Sequence, residues 1–277
     1  MAFVDKKEYG RAIVDFNRVI EINRNSATAY NNRGYVFYAR EDYDSAIGDF
    51  NQALLLDPKM ASSYRFRGMI HFAEGNGDKA IEEFNKALQI NAEYGLAYMS
   101  RADVFRIMRS DGLARADYEL AIQLEPSAPE PVIRRGQLNF DEGKYRAAVA
   151  DFSHALVLQP NALEILLWLY LAEARSDIES ANRRLEANAA RTSSTTWPYP
   201  IVEMLLRRRD EQATIAAAPF PKEHCEAQFF AAEFLLLRGE RHDQAVHHLH
   251  LAAETCPKTS MTLPSARAEL KRLRQVP

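Results

Sequence analysis

Residues 27–60 read ATAYNNRGYVFYAREDYDSAIGDFNQALLLDPKM, and residues 61–94 read ASSYRFRGMIHFAEGNGDKAIEEFNKALQINAEY. Laid over each other at an offset of 34, they align Tyr30 with Tyr64 and Arg33-Gly34 with Arg67-Gly68. The same offset aligns Ala46, Phe50 and Ala53 with Ala80, Phe84 and Ala87. A third copy continues the columns with Tyr98, Arg101-Ala102, Ala114, Tyr118 and Ala121. A fourth follows with Val132, Arg135-Gly136, Ala148, Phe152 and Ala155. Pro58, Pro126 and Pro160 close three copies, and Ala92 stands at that place in the remaining one.

Inside each copy the apolar residues step by three and four, as Ala46, Phe50, Ala53 and Leu54 do, which is helical spacing. Turn residues divide each copy in two: Arg40-Glu41-Asp42, Glu74-Gly75-Asn76-Gly77 and Glu142-Gly143-Lys144. The pattern therefore predicts two antiparallel helices per copy, A then B. A Gly or Ala at the eighth position lets helix A approach helix B closely, and proline stops helix B. One such hairpin cannot bury its own apolar face, so the copies must stack.

These columns resemble the tetratricopeptide repeat, with full copies at 27–60, 61–94, 95–128 and 129–162. The resemblance implies an all-α fold: a right-handed superhelical solenoid of antiparallel helix pairs. Residues 1–26 form a truncated copy, with Ala12, Phe16 and Val19 in the helix B columns and Phe3 at the eleventh position. About ten residues of its helix A are missing, so upstream sequence is expected to have been lost. Residues 163–225 hold a degenerate copy, a linker that breaks helix from Arg191 to Pro200, and a short helix from Ile201 to Arg209. Residues 226–277 hold a divergent copy, with Ala245, Leu249, Ala252 and Pro257 in register. Its helix A is expected at Ala227–Arg238, and a last helix at Ser265–Arg274 is expected to cap the stack.

Two charged columns run with the repeat. Arginine recurs at the seventh position, as Arg33, Arg67, Arg101 and Arg135. A carboxylate recurs at the twenty-third, as Asp15, Asp49, Glu83, Asp117 and Asp151. Recurrence of both partners predicts a structural ion pair rather than an arginine ladder for an acidic ligand, and guanidinium suits a partly buried pair. The Arg207-Arg208-Arg209 run reads as a solvated helix C-terminus.

Two cysteines, Cys225 and Cys256, fall just before helix A and at the end of helix B of the divergent copy. Antiparallel helices bring those ends together, so a disulfide is expected; two buried thiols are the alternative. A disulfide implies an oxidising compartment, periplasmic or secreted, with the cytoplasm as alternative. His242, His247, His248 and His250 cluster on one predicted helix, and surface histidines are the expected reading because no completing ligand accompanies them.

The chain's 277 residues carry a net charge of −3, which gives no basic field for nucleic acid. No run of 18 apolar residues spans a membrane. The opening Met1-Ala2-Phe3 lacks the charged and apolar regions of a signal peptide. Nucleophile-elbow, phosphate-loop, zinc-protease and dinucleotide patterns are absent, so neither enzymatic activity nor a cofactor is expected.

The resemblance implies a concave face lined by helix A. Its fifth, ninth and twelfth positions are Asn31, Tyr35 and Tyr38; Arg65, Met69 and Phe72; Met99, Asp103 and Arg106; and Ile133, Gln137 and Phe140. Aromatic residues, Met and Arg are enriched at protein interfaces. Carboxylate-clamp repeats carry Lys and Asn at the fifth and ninth positions, which Asn31, Tyr35, Arg65 and Met69 do not match. The expected function is a non-enzymatic scaffold holding a partner peptide or protein. Direct carbohydrate contact within a cell-envelope or glycan-processing system, through Tyr35, Tyr38 and Phe72, is the alternative. A homodimer through the truncated terminal copy is a further expectation. The order of copies and the stretches Trp197–Leu205, Ala227–Leu237 and Ala266–Leu273 are also similar to those of NlpI-type bacterial lipoproteins, which implies a periplasmic adaptor.

Overall fold

The computed structural model describes residues 6–189 and 196–274, which hold sixteen α-helices and no strand. Phe3 and the Arg191–Thr195 part of the linker lie outside the described residues. The chain divides into two compact units, the first ending at Val104 and the second beginning at Phe105.

The first unit holds α1 (Lys6–Ile22), α2 (Ala27–Ala39), α3 (Tyr43–Leu56), α4 (Ala61–Ala73), α5 (Gly77–Ile90) and most of α6 (Gly95–Ile107). Within it, α2 pairs with α3 and α4 with α5, as the 34-residue columns predict. Local chemistry sets the ends. Ser26 caps α2 by accepting from the Ala29 amide, and Asp42 caps α3 by accepting from the Ser45 amide. The residue after α3, Asp57, is extended at φ −137°, as the residue before a proline prefers. Asn91 takes nearly the same geometry before Ala92 (φ −135°), so the turn survives without the proline.

The fifteenth position of every full copy adopts positive φ: Glu41 at 61°, Gly75 at 87°, Arg109 at 62° and Gly143 at 74°. This left-handed residue turns helix A into helix B. Glycine takes it freely, whereas Glu41 and Arg109 hold it at a cost.

The Ala-Phe-Ala columns are the core. Ala46, Phe50, Ala80, Phe84, Ala148 and Phe152 are all fully buried. Each phenylalanine lies against the eighth-position glycine of its own copy. A Cβ on Gly34 would come within 2.8 Å of the Phe50 ring, and one on Gly68 within 2.6 Å of the Phe84 ring. Gly68→Ala is therefore expected to lower stability by about 1–3 kcal/mol through overpacking. Gly48→Ala, where the added carbon meets nothing within 4 Å, should instead raise it by about 0.5–1 kcal/mol. Urea denaturation of the two variants measures the contrast.

The charged columns meet within the first, second and fourth full copies. Arg33 donates from Nε and Nη2 to Asp49, both at 2.7 Å. Arg67 grips Glu83, with its Nε at 2.8 Å, and Arg135 grips Asp151 at 3.2 and 2.6 Å. The same guanidiniums also reach back one copy: Arg33 to Asn17 at 2.6 Å, Arg67 to Asn51 at 2.7 Å, and Arg101 to Asn85 at 2.5 Å. Each of these three also lies over a tyrosine ring: Tyr30, Tyr64 or Tyr98. Arg33 and Arg67 thus tie their own helix B to the preceding one. Asp15 is exposed, and Asp117 is buried within the second unit.

The second unit holds α7 (Asp111–Leu124), α8 (Pro129–Asp141), α9 (Tyr145–Leu158), α10 (Leu163–Ala174), α11 (Ile178–Ala189), α12 (Tyr199–Leu205), α13 (Glu211–Ala216), α14 (Pro221–Arg238), α15 (His242–Thr255) and α16 (Thr262–Leu273). Hairpins α8–α9, α10–α11 and α14–α15 continue the pattern. From Ile165 to Ala172, α10 is apolar and buried on all sides. Its Trp168 packs on Phe140, Phe152, Phe229 and Phe230, with ring centroids 5.3–6.1 Å away.

Three expectations are corrected here. Helix A of the divergent copy begins at Pro221, six residues early, because proline at the first helical position pre-sets the helix. Cys225 therefore lies inside α14. The short helix after the linker ends at Leu205, and Arg207 turns away at φ 61°. The arginine run is not a free helix end: Arg207 faces Glu240, Arg208 faces Glu186 and Arg209 faces Glu203. Finally, α16 does more than close the last hairpin, since it packs on α15, α8 and α14.

Candidate functional site

The helix A face of the first unit is aromatic and partly open. Tyr35 is 38% exposed, and its ring sits 5.2 Å from Phe66. Tyr38 packs between Tyr43, at 6.0 Å, and Phe66, at 5.7 Å. Burial, with Tyr43 beside it, pushes the Tyr38 hydroxyl above its ordinary pKa. Met69 and Phe72, half-buried, pack over Phe84 and Val104. Met99 and Asp103 are half-buried on α6. Asn31 is committed to structure: its Oδ1 accepts from Ser62 at 3.1 Å and from Ser63 at 2.9 Å, which joins α2 to α4.

Arg65 lies among these rings. Its guanidinium stacks on Phe66 at 4.6 Å and donates to the Tyr94 hydroxyl at 3.0 Å. It also donates to Ser100 Oγ at 3.3 Å and to the Met69 sulfur at 2.9 Å.

In the second unit the corresponding face is filled by the chain itself. Arg106 is 0% exposed and donates to Asp141 at 2.6 and 3.0 Å. It also donates to Ser265 of α16 at 3.0 Å. Gln137 and Phe140 are buried with it. Arg106, Gln137 and Phe140 are therefore not open to a partner, which corrects the expected lining. Ile133 is half-buried and packs against the main core.

A second polar knot holds α16 down. Arg175, at the end of α10, donates to Glu233 of α14 at 2.5 Å and to Glu269 of α16 at 2.9 Å. Arg272 pairs with Glu269 and donates to the Asp141 carbonyl, one of the free carbonyls ending α8, at 3.2 Å. Burial and the neighbouring Glu269 push the Glu233 carboxyl up to about 8. Burial also raises Asp141, against the pull of Arg106.

Repeating helix pairs, three of them with a glycine-on-phenylalanine contact, have a counterpart among known sequences: models described as tetratricopeptide repeat match residues 31–95, and residues 2–40 as well. Residues 2–95 thus match tetratricopeptide repeats. Solved repeat structures share its fold. The Cut9–Hcn1 heterotetramer of the APC/C is 17% identical, covering 96% of this chain and 46% of that one, with a TM-score of 0.63. PilF of Pseudomonas aeruginosa is 16% identical, covering 88% of this chain and 97% of its own, with a TM-score of 0.58. The C-terminal part of a repeat-containing protein from Cytophaga hutchinsonii is 20% identical, covering 94% of each chain, with a TM-score of 0.53. At these identities the likeness concerns the fold. No curated protein matches the chain.

Against the repeat frame the remaining expected residues fall into place. Cys225 and Cys256 are joined, with Cα atoms 5.1 Å apart, and clamp the two ends of the α14–α15 hairpin. Closing 31 residues contributes about 3–4 kcal/mol on the chain-entropy model. His248 donates from Nδ1 to Gln228 at 2.6 Å, and burial lowers its pKa. No metal-binding group of three His, Cys, Asp or Glu occurs among the described residues. No helix is long and apolar enough to cross a membrane. The asparagine column, Asn17, Asn51 and Asn85, is the functional partner of the arginines that the sequence reading missed, although it recurs at the same offset of 34.

Proposed function

We propose that this chain is a non-enzymatic scaffold that holds a segment of a partner protein on the helix A face of its first unit, within an oxidising compartment such as the bacterial periplasm. One observation carries the reading. That face keeps Tyr35, Tyr38, Met69 and Phe72 only partly covered, whereas Arg106, Gln137 and Phe140 in the second unit are buried, with α16 packed on α8. Aromatic and methionine side chains give large, adaptable contact area, the composition of interface hot spots. The buried Cys225–Cys256 bridge supports the compartment, because reducing compartments keep such thiols apart. The sequence similarity to NlpI-type lipoproteins points the same way, on the short stretches quoted above.

Carbohydrate contact is the second reading, favoured by the exposed Tyr35 ring, but Tyr38 is already stacked between two other rings. Self-association through the outer face of α1 would use its exposed Val14, Val19 and Ile22.

Affinity capture from a bacterial envelope extract, quantified by mass spectrometry, tests the scaffold. Tyr35→Ala with Phe72→Ala is expected to lose at least about tenfold of the specifically captured protein while the helical circular dichroism stays unchanged. A folded double variant that captures the same proteins at the same yield sinks the assignment. Capture of deproteinised glycan by the wild type, lost in that variant, transfers the face to carbohydrate.

A further inference from the structure

The arginines of this molecule are generally matched. Arg33, Arg67, Arg106, Arg135 and Arg175 each face a carboxylate within hydrogen-bond distance. Arg65 is different. Its acceptors are a phenol, a hydroxyl and a thioether, all neutral, and it forms no ion pair among the described residues. Its Nη2 has no acceptor among them either. The equivalent position carries neutral Asn31 and Met99 in the neighbouring copies.

A guanidinium has five N–H donors in a planar fork. Three neutral contacts fix its plane and leave one edge free. Holding a cation half-buried between Phe66 and Tyr94 without an anion is unfavourable, because burial weakens its hydration. A ligand anion that meets the free edge restores the balance, and it meets a fork already oriented, so little ordering entropy is lost on binding. Arg65 lies against Phe66 and Met69, and the same helix A face carries Tyr35 and Phe72, so its surroundings are largely apolar.

We propose that Arg65 anchors a side-chain carboxylate, so that the segment taken by this face is acidic: an Asp or Glu flanked by apolar residues. This rests on the reading that the face holds a partner segment, and it names the chemistry of that segment. The carboxylate is a side chain rather than a chain terminus, since the surrounding donors are too few to surround a terminal group.

The test uses the full chain and an array of random dodecapeptides, acetylated and amidated at their ends so that only side chains carry charge. Binders are expected to be enriched in Asp or Glu. For the best binder, anisotropy titration should show about tenfold weaker binding when its acid is changed to the amide. Arg65→Gln should weaken the acidic peptide by a similar factor, and the two changes together should cost little more than either alone. Arg65→Lys should recover part of the loss, because it keeps the charge and loses the fork. Binders without acidic enrichment, or Arg65→Gln binding as wild type does, overturn the anchor. If Arg65→Gln is silent while Tyr35→Ala with Phe72→Ala still abolishes binding, the anchor falls and the scaffold reading stands. If no peptide binds the wild-type chain, both fall.

Discussion

Arg106→Met is expected to cost about 3–5 kcal/mol of unfolding free energy. The loss comes from what is left behind. Asp141 is fully buried, and one of its oxygens has no hydrogen-bond partner even with the arginine in place. Removing the guanidinium strands that carboxylate, and also takes away the hydrogen bond that Arg106 donates to Ser265. A second variant separates the stranded charge from lost packing. Arg106→Met with Asp141→Leu should recover most of the stability, because an apolar pair of similar volume replaces a buried ion pair at little net cost. Urea midpoints for wild type, the single variant and the double variant give the three values. A single variant within about 1 kcal/mol of wild type would falsify the claim that this pair fastens α16.

The same contact shows where sequence reading stops. The hairpins up to residue 162 were legible because every copy repeats the same local problem: a small residue under an aromatic ring, and an arginine and an acid sixteen residues apart. Thirty-four-residue spacing makes these visible without coordinates. The cysteine pair was legible for a related reason, since both thiols sit at ends that one hairpin must bring together. Ser265, Glu269 and Arg272 were not legible. Their partners lie 159, 94 and 131 residues away, across several hairpins, and α16 has no second copy to reveal a column. Its amphipathic spacing is compatible with a plain cap, so only the packing shows that it covers Gln137 and Phe140. The fifteenth-position turn was half legible. Gly75 and Gly143 announce a left-handed residue, but Glu41 and Arg109 hide the same backbone behind side chains that rarely adopt it. Of the candidate face, the aromatic positions followed from the repeat frame, whereas Arg65's lack of a counter-ion is a property of three-dimensional neighbours.

Stability should fall as pH rises from about 5 to 8, and Glu233 is the group that decides the direction. An unfolded glutamate gives up its proton near 4.5, whereas in the fold Glu233 keeps it until about 8. Between those values the native state binds the extra proton, so each step upward in pH favours the unfolded chain. The contribution is complete below the lower value, is lost through the window, and stays lost above the upper one. The facing groups explain why the proton is retained. Arg175 and Arg272 favour the charged form, but Glu269 shares them, the Tyr145 ring lies against both guanidiniums, and burial disfavours a second charge there. Burial also raises Asp141, which adds to the same direction, while the lowered pKa of His248 acts against it at the acidic end. Glu233→Gln removes the titrating proton and keeps the shape, so its melting temperature should vary much less than that of wild type across the same window. Thermal melts of both proteins in buffers from pH 5 to 8.5 make the comparison. A wild-type melting temperature that rises through the window, or a variant that falls in parallel with it, would show that the proton is not held at Glu233 and that the charged pair with Arg175 is what secures α16.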